Sequence, residues 1–282
     1  MDHLGSGREW DLTRKKGGLN IIPPFAQKTV NIYNGRVEAI ASIIDYLKRQ
    51  KEKYVIMADT NIAVNFNFSK LLQRHIDSGA DVTIAYTKED IPKALRDIDV
   101  TKKDLYYTLD IDGDGRVQKI VVNNKENGVH NVSMNIYVIE RQLLIDQIRE
   151  AYVNGLTYFE RDIISPQLDK LNVKAYQHDG YFARIMDINS YFAENMKMLK
   201  EENINALFSP NPVYTKIRDD NPTRYADGSH AKNVMAADGC VIEGEVENCI
   251  LFRGVKVGKG AKVRNCVLMQ DTVIETGATV EY

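Results

Sequence analysis

Asp59 is the residue in this chain whose type and placement could do chemistry. In YVIMADTNIAV (Tyr54 to Val64), Tyr54, Val55, Ile56 and Met57 read as a buried strand, and Ala58-Asp59 falls where that strand emerges. An aspartate at the carboxyl end of a parallel strand is where open α/β sheets take ligands and metals. Asp59 is therefore either a metal ligand or a solvated cap of the next turn. In YNGRVEAIASI (Tyr33 to Ile43), Asn34-Gly35 opens a helix, with Glu38 in its first turn. Free N–H groups and the helix dipole favour an anion there, although an ordinary capped helix has the same pattern. Ser133-Met134-Asn135 begins another strand with small polar groups that could face a sugar.

Other candidates reduce to structure. In DIDGDGRV (Asp110 to Val117), Asp110, Asp112, Asp114 and Gly115 match the opening of a calcium loop, but the position of its bidentate glutamate is Val121. Strand-like flanks make this a β-hairpin with an Asp-Gly turn. The five histidines (His3, His75, His130, His178, His230) have no ligand spacing and read as solvated or core residues. No GxSxG elbow occurs, and no complete phosphate-binding glycine loop follows a first strand. Cys240, Cys249 and Cys266 are odd in number and lack CxxC spacing, so they read as small apolar fillers in a reducing compartment. No metal site is expected.

The chain has 282 residues, enough for about two domains. Its 37 Lys and Arg balance 39 Asp and Glu, which leaves no electrostatic case for nucleic acid or a membrane surface. No apolar stretch approaches membrane-spanning length, and MDHLGSGREW has no signal-peptide character, so the cytoplasm is the expected compartment.

These residues must be positioned by an alternating α/β domain. Ile40, Ile43, Ile44 and Leu47 trace one helical face, and Phe68, Leu71, Leu72, His75 and Ile76 another, closed by Ser78-Gly79. Between and after them, Tyr54–Met57 and Val82 to Tyr86 read as strands, giving a βαβ unit and a parallel sheet covered by helices. VSMNIYVI (Val132 to Ile139) is a further strand, followed by a helix from about Arg141. Ile188 to Leu199 forms a closing amphipathic helix. The expected domains are 1–204, a proline-rich connector over 205–233, and a repeat region over 234–282.

The repeat is the most informative pattern. NCILFRGVKVGKGAKVR (Asn248 to Arg264) aligns with NCVLMQDTVIETGATVE (Asn265 to Glu281), and Val255, Ala261, Val267, Val273 and Thr279 recur at every sixth position. Small or aliphatic residues at that period, with glycines at corners, build a β-helix of three faces per coil. The absence of any histidine after His230 argues against a hexapeptide acyltransferase, which uses a histidine base on its β-helix.

HLGSGREWDL, the βαβ order, the strand ending at Asp59, SMNIYVI and the hexapeptide coils together resemble glucose-1-phosphate adenylyltransferase (ADP-glucose pyrophosphorylase), over nearly the whole chain. The resemblance implies an α/β fold: a Rossmann-like nucleotidyltransferase sheet domain followed by a left-handed parallel β-helix of hexapeptide repeats. In catalytic members, Mg²⁺ held by two aspartates offsets charge as the sugar phosphate attacks ATP. The family's N-terminal strand and phosphate loop are not found, and only about two coils are visible, as expected of a chain lacking part of each end.

Departures from the family pattern are concentrated in the cleft. Gly-Asp is Ala58-Asp59, and Gly-Thr-Ala-Asp is Gly35-Arg36-Val37-Glu38. Glu-Lys-Pro, whose lysine holds the sugar phosphate, is Val122-Asn123-Asn124, with Lys125 beside it. Ser-Met-Gly is Ser133-Met134-Asn135. The second metal aspartate falls on Arg184, with Asp187 three residues off. The resemblance therefore implies a D-type (GlgD) subunit with little activity alone, needing no cofactor. Its expected partner is a Mg²⁺-dependent C-type catalytic subunit, in a heterotetramer of glycogen biosynthesis. Asn34, Gly35, Glu38, Asp59, Ser133 and Asn135 would line a degenerate cleft for a nucleotide or sugar phosphate. The alternatives are an active nucleotidyltransferase using Asp59 and Asp187 for Mg²⁺, and a binding module of another sugar-nucleotide assembly.

Overall fold

Residue Ser133 lies in a strand with eight consecutive buried residues, Val132 to Ile139. Unbroken burial of this kind means that both faces of the sheet are covered, so the strand reads as a continuous apolar run instead of an alternating one. The computed structural model describes residues 3–23, 33–91 and 105–282. It divides into two compact units, one of Asn20–Ile62 with Phe66–Asp179, the other of Met1–Leu19, Ala63–Asn65 and Gly180–Tyr282.

The first unit is a six-stranded mixed sheet. In chain order the strands are β1 (Tyr54–Ala58), a short β2 (Ile62–Val64) outside this sheet, β3 (Val82–Asp90), β4 (Tyr107–Ile111), β5 (Val117–Val122), β6 (Val129–Glu140) and β7 (Val173–Gln177). Their order is β5-β4-β6-β3-β7, with β1 also on β6. Strands β1 and β3 flank the second half of β6, and both run antiparallel to it, from Tyr54↔Glu140 and Val82↔Ile139. The βαβ expectation is corrected accordingly. β1 and β3 share a direction across the helix Phe68–Ser78, but β6 is inserted between them. Within this sheet, among the described residues, only β3 and β7 pair in parallel. Paired with β6 alone among the described strands, β1 is also less buried than its apolar run suggests, with Ile56 37% exposed.

Helices Arg36–Ser42, Ile44–Arg49 and Arg141–Val153 cover the sheet, and Val37, Leu47, Ile84, Tyr137, Leu144 and Phe159 share one core. The single amphipathic helix expected from Ile40 is thus two short ones, broken at Ile43. Phe68–Ser78 is capped as anticipated: Asn67 accepts from the Lys70 N–H, and Gly79 takes the left-handed conformation at φ 59°. Asp110 to Val117 is the hairpin turn between β4 and β5, with Asp112 Oδ1 accepting from the N–H groups of Asp114 and Arg116.

In the second unit, the helices Ile188–Lys197 and Glu201–Phe208 precede a parallel solenoid of about three turns. Its strands stack in two ladders. One holds Arg224, Val241, Lys256 and Val273 in register, and the other His230, Glu245, Lys262 and Thr279. Paired strands therefore begin at Arg224, inside the stretch read as a connector over 205–233, and the helix Glu201–Phe208 also enters that stretch. The repeat is harder to see there because the first spacing is 15 residues, not 17. Cys240, Cys249 and Cys266 are free thiols buried in this core, and burial pushes the thiols of Cys249 and Cys266 up. No helix among the described residues is long and apolar enough to cross a membrane.

Candidate functional site

Arg36 opens the helix Arg36–Ser42 from its N-cap Gly35, and its side chain is largely buried. One nitrogen donates to Glu160 and another to Asp59, at 2.5 Å for Asp59. The guanidinium also lies over the Tyr137 ring, 4.9 Å from its centroid. Glu160 comes from the short π-helical turn Phe159–Ile164, whose buried face is Phe159, Glu160, Ile163 and Ile164. Its side chain is 6% exposed, against 17% for Arg36 and 31% for Asp59.

A β-bulge supplies the next member. Register jumps from Ala85↔Ile136 to Tyr86↔Ser133, leaving Met134 and Asn135 as extra residues on β6. Such a bulge re-aims a side chain. Asn135 takes φ 56°, a left-handed conformation that asparagine tolerates better than most residues, and its Nδ2 donates to Asp59 Oδ2 at 2.6 Å. Tyr137 Oη donates to Asn135 Oδ1 at 3.3 Å, and the Glu160 carboxylate acts electrostatically on the Tyr137 and Tyr107 phenols. Arg36, Asp59, Asn135 and Tyr137 thereby form a closed ring, completed where the guanidinium lies over the Tyr137 ring, with Glu160 attached through Arg36.

The ring sets its own protonation. Burial opposes the Arg36 charge, but Glu160, Tyr137 and Asp59 more than offset this, and the guanidinium stays protonated. Burial, with the Glu160 carboxylate beside them, pushes the Tyr107 and Tyr137 phenols far up, so both remain neutral donors. Two carboxylates against one guanidinium leave the cluster one negative charge in excess.

The other expected residues have structural partners of their own. Asn34 N–H donates to Glu38 Oε2 at 2.8 Å, and Val37 N–H donates to the Thr157 carbonyl at 3.3 Å, so Glu38 and one N–H of the first helical turn have partners within the protein. Gly35 is needed for close packing, since a Cβ there would meet the Thr157 carbonyl oxygen at 2.5 Å. Ser133 Oγ accepts from the Asn135 N–H at 3.2 Å. Asn123 is buried at φ 47°, and its Oδ1 accepts from the Tyr106 N–H. Lys125 is exposed. Asp187 is the exposed N-cap of Ile188–Lys197, with Oδ1 accepting from Ser190 N–H at 2.7 Å in a capping box.

The structure thus brings Asp59, Asn135 and Ser133 into one network, and places Asn34, Gly35 and Glu38 at the start of the Arg36 helix. Sequence reading missed Glu160, Tyr107 and Tyr137. The available signal was a glutamate between apolar residues: Phe159, Glu160, Ile163 and Ile164 fall on one helical face, and a carboxylate buried there requires a cation.

Magnesium asks for oxygen ligands in near-octahedral geometry. Asp59 has one oxygen on a guanidinium and the other on an amide, and Asp187 is committed to its helix cap. No group of three or more His, Cys, Asp or Glu among the described residues could hold a metal ion. The residues present do not fit the family's magnesium ion.

Residues 2–201 match the nucleotidyl transferase family, and residues 216–282 match the GlmU-like C-terminal hexapeptide family. The glycogen biosynthesis protein GlgD of Bacillus subtilis (strain 168) is 32% identical over 94% of this chain and 65% of its own length. GlgD of Geobacillus stearothermophilus is 35% identical over 93% of the chain and 65% of its own length. A glucose-1-phosphate adenylyltransferase of Clostridioides difficile (strain 630) is 30% identical over 96% and 69%. The chain spans 65% of the length of the two GlgD relatives. With a nucleotidyltransferase sheet, a hexapeptide solenoid and these relatives in one chain, the protein belongs to the glucose-1-phosphate adenylyltransferase family.

Proposed function

We propose that this chain is part of a regulatory subunit of bacterial glucose-1-phosphate adenylyltransferase with little or no turnover of its own. The observation that carries the reading is Arg36: it occupies Asp59, the acid that a catalytic member needs for its metal. A protonated arginine there repels Mg²⁺ and fills space next to the carboxylate. The missing positive charge at Asn123 and the capping role of Asp187 support the same reading. Similarity to GlgD proteins favours glycogen biosynthesis as the setting. The partner in this proposal is a C-type catalytic subunit that binds ATP, glucose 1-phosphate and Mg²⁺. The two would form a cytoplasmic heterotetramer in which the solenoid supplies subunit contacts. Asn135 and Ser133 then keep the cleft shaped without chemistry.

Pyrophosphate release from ATP and glucose 1-phosphate tests this directly. The protein is titrated into a fixed amount of the catalytic subunit, with each also assayed alone. Silence alone with a saturable change in the partner's rate is the expected result. Turnover by this protein alone would make it an enzyme. Silence with no effect on the partner would remove the regulatory role.

A further inference from the structure

We propose that the charged face of the solenoid docks a second copy of this chain. On that face His230, Ala231 and Lys232 lie in register with Glu245, Val246 and Glu247. These lie in register with Lys262, Val263 and Arg264, and those with Thr279, Val280 and Glu281. Strand alternation turns Val246 and Val263 into the core and leaves the residues on either side facing water. The outward charge therefore changes sign at every coil: basic, acidic, basic, acidic. The asparagine column of the same solenoid instead stacks like on like, at Asn233, Asn248 and Asn265.

Within one chain the alternation yields only surface ion pairs. Lys232 Nζ is 2.6 Å from Glu247, Arg264 Nε is 3.7 Å from Glu247 and Lys262 Nζ is 3.8 Å from Glu245, with side chains 33–69% exposed. Such pairs contribute little and leave charge available to a partner. A two-fold contact sets one patch against itself. An axis parallel to the strands, between the second and third of these coils, reverses the coil order and keeps each column opposite itself. Glu245 then faces the partner's Lys262, Glu247 faces the partner's Arg264, and Lys232 faces the partner's Glu281. Every coil meets one of opposite sign, and the strengths match, two formal charges against two in the middle and one against one at the ends. The patch is small, so the dimer is weak and salt-sensitive.

The inference deepens the reading of the solenoid as the source of subunit contacts, but it needs neither turnover nor a catalytic subunit, so the pyrophosphate assay can fail without deciding it. The experiment is sedimentation velocity of the full protein over a concentration series, at about 0.05 M and about 0.5 M NaCl, with circular dichroism confirming that each variant is folded. Wild type is expected to dimerise at low salt and to dissociate at high salt. Lys262→Glu/Arg264→Glu and Glu245→Lys/Glu247→Lys should each weaken self-association by about tenfold or more, because like charges then meet in the middle of the contact. Mixed together, the two variants should associate at least as tightly as wild type, since the acidic coils of one then face the basic coils of the other. Ion pairing confined to one chain would give no such recovery. Arg224→Glu/Lys256→Glu, which changes net charge equally on the other ladder, should leave the dimer intact. If either reversal does not fold, Lys262→Gln/Arg264→Gln and Glu245→Gln/Glu247→Gln replace the pair, each expected to weaken the dimer and to lose its salt dependence. A wild type that stays monomeric at low salt overturns the proposal, including the case in which the reversals abolish binding of the catalytic subunit, which would give the face to that partner. So does a mixture that stays monomeric, or an equal loss from the reversal on the other ladder.

Discussion

The solenoid and the sheet unit satisfy their polar side chains in opposite ways. In the solenoid, asparagines find their like one coil away, and cysteines bond to equivalent positions of the next coil. Asn233 donates to Asn248 and Asn248 to Asn265, all three at φ 52°, and the Cys266 N–H donates to Cys249 Sγ. In the sheet unit the partners are unlike and distant in sequence, 23 residues from Arg36 to Asp59, 76 from Asp59 to Asn135 and 124 from Arg36 to Glu160. The ladder spreads small contributions over repeated neighbours, as expected of a stacked array. The ring concentrates charge in one place, where losing one member strands the others.

The largest expected effect tests that concentration. Arg36→Ala leaves the Glu160 carboxylate buried without its cation and should cost about 3–5 kcal/mol in denaturant unfolding. Arg36→Met with Glu160→Gln should recover most of it, because no buried charge is then unpaired. Equal losses for the single and double variants would mean that packing, not charge, holds the ring.

Asn135 comes next. Replacement by alanine loses a hydrogen bond to a carboxylate and forces a left-handed conformation on a residue that resists it, together about 2–3 kcal/mol. Asn135→Gly keeps the conformation and should lose only the bond. If both variants lose the same, the bulge geometry does not depend on what fills it.

The matching change in the ladder should be milder. Asn248→Ala is expected to cost about 2 kcal/mol and Asn248→Gly about 1 kcal/mol, measured the same way. A loss as large as that of Arg36→Ala would erase the contrast between the two regions.

A pH titration separates the units most gently. His75 is buried against Thr83, with Nδ1 2.7 Å from its hydroxyl and the Tyr54 ring edge-on, and burial pushes its pKa down. The unfolded chain therefore binds the proton more readily than the folded one. Stability should fall as pH drops below the ordinary histidine value of about 6.5, by at most about 1.4 kcal/mol per pH unit, and level off below the folded pKa. His75→Gln should flatten that limb. An unchanged slope would assign the acid sensitivity to another group.

Much of this contrast was legible beforehand, and the reason is range. The solenoid announces itself through a repeat at 17 residues, because each coil makes the same contacts as its neighbour. Helix Phe68–Ser78 is readable from its stripe and its Ser78-Gly79 stop, and the Asp112 turn from its flanking strands. Coil positions before Asn248 were obscured by one 15-residue spacing. The insertion of β6 between β1 and β3 was not legible, since strand order depends on pairing between segments that no local pattern connects. Nor was the break at Ile43, where tertiary packing overrides an apolar stripe that could run on.

Sequence alone determined the two architectures, the place of Asp59 at a strand end and the replacement of family residues around it. The family resemblance added that Arg36 stands where the family pattern has a threonine. What that arginine does was decided only by the tertiary structure. A buried guanidinium must meet carboxylates, and which ones it meets depends on a bulge in β6 and a turn at Glu160 brought together from far along the chain. Local patterns record what each segment prefers. Charge pairing in a low-dielectric interior is decided by which segments end up adjacent.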